Sequence, residues 1–416
     1  MTFVRRQGRG GLLAAAAASI IAVAGLAGPA DAQPGPAVLS SWPQLQGNAG
    51  HTGAEPGEQS VTGANVKQLA VAWTAKLPAG RSNASEVAVT GGVAYVGAAG
   101  TVTAFDAATG TQLWQQTVAG SVLGTPAVAE GLVLVANQQQ FGQGPLHDYV
   151  TALSSATGTV VWRRSATGFP CCGANGNESV TIAGDHAYLL EGSQVAALTV
   201  RHGRRLWMSP ALAGCQVSQP SVSGGYVVVG GGGTNVTALH TLSGKVAWHQ
   251  AFPSGHCGSG APLWLPSISG HTVYAGLISG VASLDLTSGA VGFHVTTTGT
   301  VWFPVSLTHG EVVFVGGNGY NQLSAVSQSS GRVVWTHGTA PAAGIGVASF
   351  GHLIWSVADV RGSAEVVAAS PVTGRRIYAS AALPGAIDAM PPVVAAGHVY
   401  ANVGSEVVCL ALPAGR

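Results

Sequence analysis

The chain has 416 residues, 47% of them hydrophobic and only 8% charged. Its 17 Lys and Arg against 16 Asp and Glu leave a formal charge of +1, which excludes the basic footprint of a nucleic-acid binder. Glycine is the outstanding residue at 61, and without a three-residue period it means many tight turns rather than a collagen-like fibre.

In chain order, the first element is a targeting segment. Arg5, Arg6 and Arg9 form a basic start, residues 12–27 are apolar and small, and Ala30-Asp31-Ala32 is a small-x-small cleavage site before Gln33. Residues 1–32 are therefore expected to be a cleaved signal peptide, and the Arg5-Arg6 pair leaves twin-arginine export open. The apolar stretch is too short and too rich in Ala and Gly to span a membrane comfortably, and no later run approaches a span. The mature protein is expected to be secreted or extracytoplasmic. Residues 33–64 read as an extended N-terminal segment and 65–416 as one repeat domain.

The domain repeats itself. Ala104-Phe105-Asp106-Ala107-Ala108-Thr109-Gly110-Thr111-Gln112-Leu113-Trp114 is the clearest copy, and the same frame places aromatics at Trp162, Trp207, Trp248, Phe293, Trp335 and Tyr378. A glycine stands four residues before each aromatic, and successive aromatics lie 48, 45, 41, 45, 42 and 43 residues apart. A period in the forties fits a four-stranded propeller blade. In the second unit, Pro126-Ala127-Val128, Leu132-Val133-Leu134-Val135, Val150-Thr151-Ala152-Leu153 and Val160-Val161-Trp162 are four short β-branched or apolar runs separated by glycine turns. Helical periodicity is absent after the signal. An eighth copy begins at Pro391 and ends at Val408-Cys409-Leu410-Ala411 with Gly415 in the glycine slot, but it has no aromatic and no fourth strand. A lone fourth strand ending in Trp73 stands at the other end of the domain. The expected fold is all-β, an eight-bladed β-propeller whose N-terminal strand completes the last blade and removes the open edge.

The Ala-x-Asp-x-x-Thr-Gly-x-x-x-Trp frame resembles the tryptophan-docking motif of the quinoprotein-type propellers. This superfamily includes alcohol dehydrogenases that use pyrroloquinoline quinone (PQQ) and the propeller lipoprotein of outer-membrane assembly. The opening, Trp42-Pro43-Gln44 with Gly47-Asn48 and His51-Thr52-Gly53, looks like theirs too. In the dehydrogenases a Cys-Cys pair at the place of Cys171-Cys172 forms a disulfide ring packed on PQQ, and Trp264 is similar to the Trp that supports the other face of the quinone. Asn177-Glu178-Ser179 stands where that family often has Asn-Arg-Gly. The resemblance thus implies Cys171, Cys172, Trp264 and Glu178 as cofactor-binding positions. The family's calcium ligands, a Glu and an Asn one blade later, have no counterpart. Val229-Gly230-Gly231-Gly232-Gly233-Thr234 and Tyr274-Ala275-Gly276-Leu277-Ile278-Ser279 occupy those regions. The family's catalytic Asp is not matched either.

By propeller logic Cys171, Cys172, Cys215 and Cys257 ring one mouth, before blades 3, 4 and 5, and the insertion over residues 138–148 overhangs the same face. In an exported protein these four read as two structural disulfides, with three pairings open and Cys171–Cys172 plus Cys215–Cys257 favoured. A ligand platform, or a thiolate metal site with His256, are the alternatives. Cys409, in the docking-Ala position of blade 8, reads as a buried free thiol. Glu86, Glu178 and Asp388 lead into the innermost strands of blades 1, 3 and 8 and are expected to be solvated rim carboxylates. His186, His271, His309, His352 and His398 read as turn residues of the opposite face. No metal site, catalytic residue or cofactor is assigned from the residues themselves; PQQ enters only through the resemblance. The function expected is a secreted module binding a protein or small-molecule ligand at the channel mouth. A PQQ-dependent alcohol or sugar dehydrogenase is the alternative.

Overall fold

The computed structural model describes residues 40–78, 85–140, 146–166, 178–212, 217–231, 234–252, 265–297, 300–301, 304–308, 310–316, 322–338, 346–360, 362–383 and 390–413. They fold as eight antiparallel sheets, one per repeat. Blade 1 shows the pattern: Ala88–Thr90 innermost, then Val93–Ala98, Thr101–Asp106 and Gln112–Thr117 outermost. The single helical element among the described residues is a 3-10 turn at Val66–Gln68, and no helix among them is long and apolar enough to cross a membrane.

Register explains the repeat frame. The small docking residue pairs across the sheet with the aromatic of the outer strand: Ala104 with Trp114, Ala152 with Trp162, Ala197 with Trp207 and Ala238 with Trp248. Ser283 with Phe293, Ala325 with Trp335 and Ala368 with Tyr378 follow the same rule. Six of these rings, from Trp114 to Trp335, then leave their own sheet and rest on the next blade's glycine. Trp207 touches Gly244, whose φ is +65°, and a Cβ there would stand 2.3 Å from the ring. Positive φ and the ring together permit only glycine. The indole N–H is satisfied in the same place, Trp114 donating to Ser155 O at 2.9 Å and Trp248 to Leu286 O at 2.8 Å.

Blade 8 is completed from the start of the domain. Ala70–Lys76 pairs antiparallel with Glu406–Ala411, setting Trp73 opposite Cys409, and Trp73 docks on Gly110 and Ala107 of blade 1. The expected closure and eight-blade ring are both present.

Two features go beyond the sequence reading. In blade 2 the insertion continues the strands: Leu132–Gln140 pairs with Leu146–Ser154 through Gln138 with Asp148 and Gln140 with Leu146. The larger feature is residues 40–58, which visit every blade in turn. Trp42 and Val89 exchange backbone hydrogen bonds in blade 1, and Val128 N–H of blade 2 donates to Pro43 O. The Gln44 carboxamide copies a strand backbone at blade 3, accepting from Ile182 N–H at 2.7 Å and donating to Ile182 O at 3.1 Å. Val222, Ile268, Leu307 and Ser349 of blades 4 to 7 then donate to Ala49, Gly50, Thr52 and Gly53 carbonyls. Ala54–Glu55 adds a parallel bridge to Ala348–Phe350. Blade 8 donates Ala396 N–H to the Ser40 hydroxyl and Gly397 N–H to Glu58. A wall of free N–H groups around an axis must find acceptors, and this segment supplies them as a stopper.

Candidate functional site

The stopper caps the inner strands, and the candidate site is built on the residues that lead into those strands from the blade-to-blade connections. Position by position, the residue two before the first inner-strand residue is Glu86, Thr125, Ser179 and Gln219 in blades 1 to 4, and Leu265, Pro304, Gly346 and Pro391 in blades 5 to 8. Half of this neck is thus polar and half apolar, with no lysine or arginine among the eight. At the first inner-strand position Thr181, Ser221 and Ser267 stitch neighbouring blades: Thr181 donates to Pro220 O at 2.7 Å, Ser221 to Pro266 O at 2.5 Å and Ser267 to Val305 O at 3.0 Å.

Glu86 is buried, at 1% exposure, so the expectation of a solvated rim carboxylate fails for it. The stopper covers it: one carboxyl oxygen accepts Gln46 N–H at 2.8 Å, and the Trp42 indole N–H lies against the group outside good hydrogen-bond geometry. Burial pushes its pKa up to about 8, against the pull of those two donors, so the group is mostly protonated at neutral pH. His51, at the centre of the stopper, donates from Nδ1 to Leu45 O at 2.8 Å while Nε2 lies 2.9 Å from the Thr181 hydroxyl. Burial lowers its pKa to about 4, keeping the ring neutral. It is a structural histidine that fixes the loop to blades 3 and 4.

Glu178 is half-buried at the lead-in to blade 3. Burial first, and then the charge of Asp148 in blade 2, raise its pKa to about 7. Asp148 accepts from Gln138 at 2.7 Å, so the long hairpin of blade 2 brings its polar side chains towards Glu178. Sequence reasoning named Glu178 and the insertion but did not join them. The signal available was the extra length of that hairpin. Cys171, Cys172 and Asn177 fall in the connection from blade 2 to blade 3, Cys215 in the next, and His256, Cys257 and Trp264 in the one after. These residues, with Asp388, His309 and Gly415, lie outside the described residues. Cys409 is the buried free thiol expected of it, and burial pushes its pKa well up. Of the expected turn histidines, His186 and His398 open second strands, and His352 sits in a turn with φ of +60°.

A quinone with its cation needs oxygen ligands at the ends of the second strands in blades 4 and 5 if the resemblance is followed. Gly231 stands at that end in blade 4, and a Cβ on it would be 2.2 Å from the Asn235 side chain, which fills the space. Blade 5 offers Ala275, Gly276 and Leu277. No cluster of three His, Cys, Asp or Glu among the described residues could hold a metal ion. The residues described do not fit the family's hard-cation site, and no step is derived through PQQ. The arrangement offers a rigid, buried ring with neutral hydrogen-bonding groups in blades 1 to 4 and apolar groups in blades 5 to 8.

Comparison with known proteins agrees with this architecture. The family described as outer membrane protein assembly factor BamB matches residues 57–219 and 258–416. No curated protein sequence matches the chain. Among solved structures, BamB from Moraxella catarrhalis is similar at 17% identity and a TM-score of 0.64, covering 82% of this chain and 99% of that one. The quinohemoprotein alcohol dehydrogenase from Comamonas testosteroni is similar at 15% identity and 0.66, covering 91% and 81%. A europium-containing methanol dehydrogenase is similar at 13% identity and 0.65, covering 90% and 98%. At these identities the structures speak for the fold alone, while the family match spans well over half of the sequence: the chain belongs to the PQQ-like propeller family described as outer membrane protein assembly factor BamB.

Proposed function

We propose that the protein is an extracytoplasmic binding scaffold whose open channel mouth, around Glu178 and the connections carrying Cys171, Cys172, Cys215, Cys257 and Trp264, takes a protein partner. The observation that carries this reading is the stopper. It is hydrogen-bonded to all eight blades and ties their inner strands into one fixed ring. A fixed ring that presents its connections at one mouth suits recognition by a preformed surface. The family's own description, an assembly factor, supports a protein as the partner class. Export would follow from residues 1–32, and N-terminal sequencing of the mature protein would find Gln33 first.

The second reading, a PQQ-dependent alcohol or sugar dehydrogenase, is favoured by the Cys171-Cys172 pair. One experiment sets the two apart. Protein incubated with PQQ and calcium is assayed for dye-linked oxidation of primary alcohols and aldoses, and a photocrosslinking residue is placed at position 178 in the producing cell. The scaffold reading expects no turnover and a discrete protein adduct at position 178, with none from position 59 on the closed face. Robust turnover that disappears in Glu178→Gln would overturn it.

A further inference from the structure

The eight blades pack by one rule, and one junction breaks it. The residue after the docking position faces the preceding blade, and it is Phe105, Leu153, Leu198, Leu239, Leu284, Val326 and Leu410 in seven blades. All seven are at most 2% exposed. In blade 7 the same position is Ala369, paired with Ile354. Its neighbour on the second strand is Val96, Val135, Leu189, Val229, Ala275, Phe314 or Ala401 elsewhere, and Ser356 in blade 7. Blade 7 therefore has an alanine where the other seven blades turn a larger residue towards the preceding blade, and a serine where five of them have a larger apolar one; Ile354, larger than the Ala or Val paired at this place elsewhere, fills only part of the difference. A close-packed interface would not leave such a gap without consequence.

The consequence is a cavity of about 340 Å³ between blades 6 and 7. Leu323, Ala358, Val367 and Ala369 give it an apolar floor, and Ser356 adds one hydroxyl. His337, Arg375 and Arg376 line it as well. His337 is held in place by the Thr373 carbonyl and by its ring against Trp335. Among the described residues neither Arg375 nor Arg376 has an ion-pair partner. Glu365 lies on the same face of its strand as Val367 and Ala369, opposite Ala358, but it does not line the cavity. Both arginines are exposed at the edge of the cavity, and in a chain with 8% charged residues two adjacent arginines without an ion-pair partner among the described residues, beside an apolar floor, are a specific chemistry.

We propose that this cavity binds a small amphipathic carboxylate, its apolar body on Ala369 and Leu323 and its carboxylate on Arg375 and Arg376. The volume is at the lower end of ligand pockets, which sets the size class. The guanidinium forks suit a planar carboxylate. This site is separate from the channel mouth, and its test does not depend on the function proposed there.

The test is calorimetric titration of the full-length mature protein with decanoate and, as the uncharged control, decanol. Wild type binds decanoate, and decanol at least about tenfold more weakly. Arg375→Gln with Arg376→Gln brings decanoate down to the decanol level and leaves decanol unchanged. Ala369→Leu, the residue of five other blades, abolishes both without lowering the melting temperature. Should that variant not fold, Ser356→Val, the residue of blades 1, 2 and 4, takes its place with the same expectation. No binding to wild type, or decanoate binding untouched by the cavity-filling variant, overturns the proposal.

Discussion

Replacing Glu86 with Gln should make the propeller more stable, and more so the higher the pH. The carboxyl group is enclosed by blade 1 and the stopper, and burial raises its pKa from 4.5 to about 8. A carboxyl raised in the folded state contributes its stability in full only below its unfolded value. That contribution drains away as pH rises through the folded value. The whole displacement is worth about 5 kcal/mol, of which about 3 to 4 kcal/mol falls between pH 5 and pH 8. Glutamine keeps an oxygen for the Gln46 N–H and cannot ionise. Relative to Glu86→Gln, wild type should lose about 4 °C of melting temperature over that interval, given the length of the chain. Thermal melts of both proteins across the range measure it. Two curves that stay parallel from pH 5 to pH 8 would refute the reasoning.

His51 carries the opposite sign: with its pKa lowered from 6.5 to about 4, the stability it contributes above 6.5 is lost on acidification towards 4. That loss is about 3 kcal/mol, and His51→Gln should flatten this limb of the stability–pH curve. Gly244→Ala should cost at least about 1–3 kcal/mol from the positive φ alone, with the Trp207 contact adding to it, visible as a lower denaturation midpoint. In protein from an exporting host, denaturation should expose one reactive thiol, Cys409, which stays unreactive in the folded state; three or more thiols would dismiss the two-disulfide expectation.

The blade count and the closing strand were legible because each copy of the frame answers one local need. The glycine and the aromatic of successive blades meet in a single contact, so the pair recurs wherever the contact does. The stopper left no such trace. Most of its links are backbone carbonyls of Pro43, Ala49, Gly50, Thr52 and Gly53, with Gln44 standing in for a strand and Ser40 and Glu58 reaching blade 8, and carbonyls have no residue type to read. Glu86 was misread for a related reason. Its environment is set by residues 42–46, forty positions away, and nothing near it in sequence announces burial. The gap at Ala369 is visible once the eight copies are aligned on the docking residue, but an alanine among alanines draws no attention in a chain this rich in them. The likeness of the mouth to a quinone site rested on Cys171, Cys172, Trp264 and Glu178. The cation ligands that would have given it force are replaced by Gly231 and its neighbours.

The stopper and closing strand also set the order in which the molecule can be finished. Ser40 bonds Ala396, 356 residues away, and Ala70 pairs with Ala411. Residues 40–76 are made early, yet Ser40 and the strand at Ala70–Lys76 find their partners only when blade 8 is made. Contacts of such sequence separation slow folding. A chain that has its blades but stops before Glu406–Ala411 shows two raw edges at once, its unpaired first strand and the open flank of its last blade, which are templates for aggregation. However well the intervening blades have formed, the ring closes only once residues 406–411 are available to pair with residues 70–76.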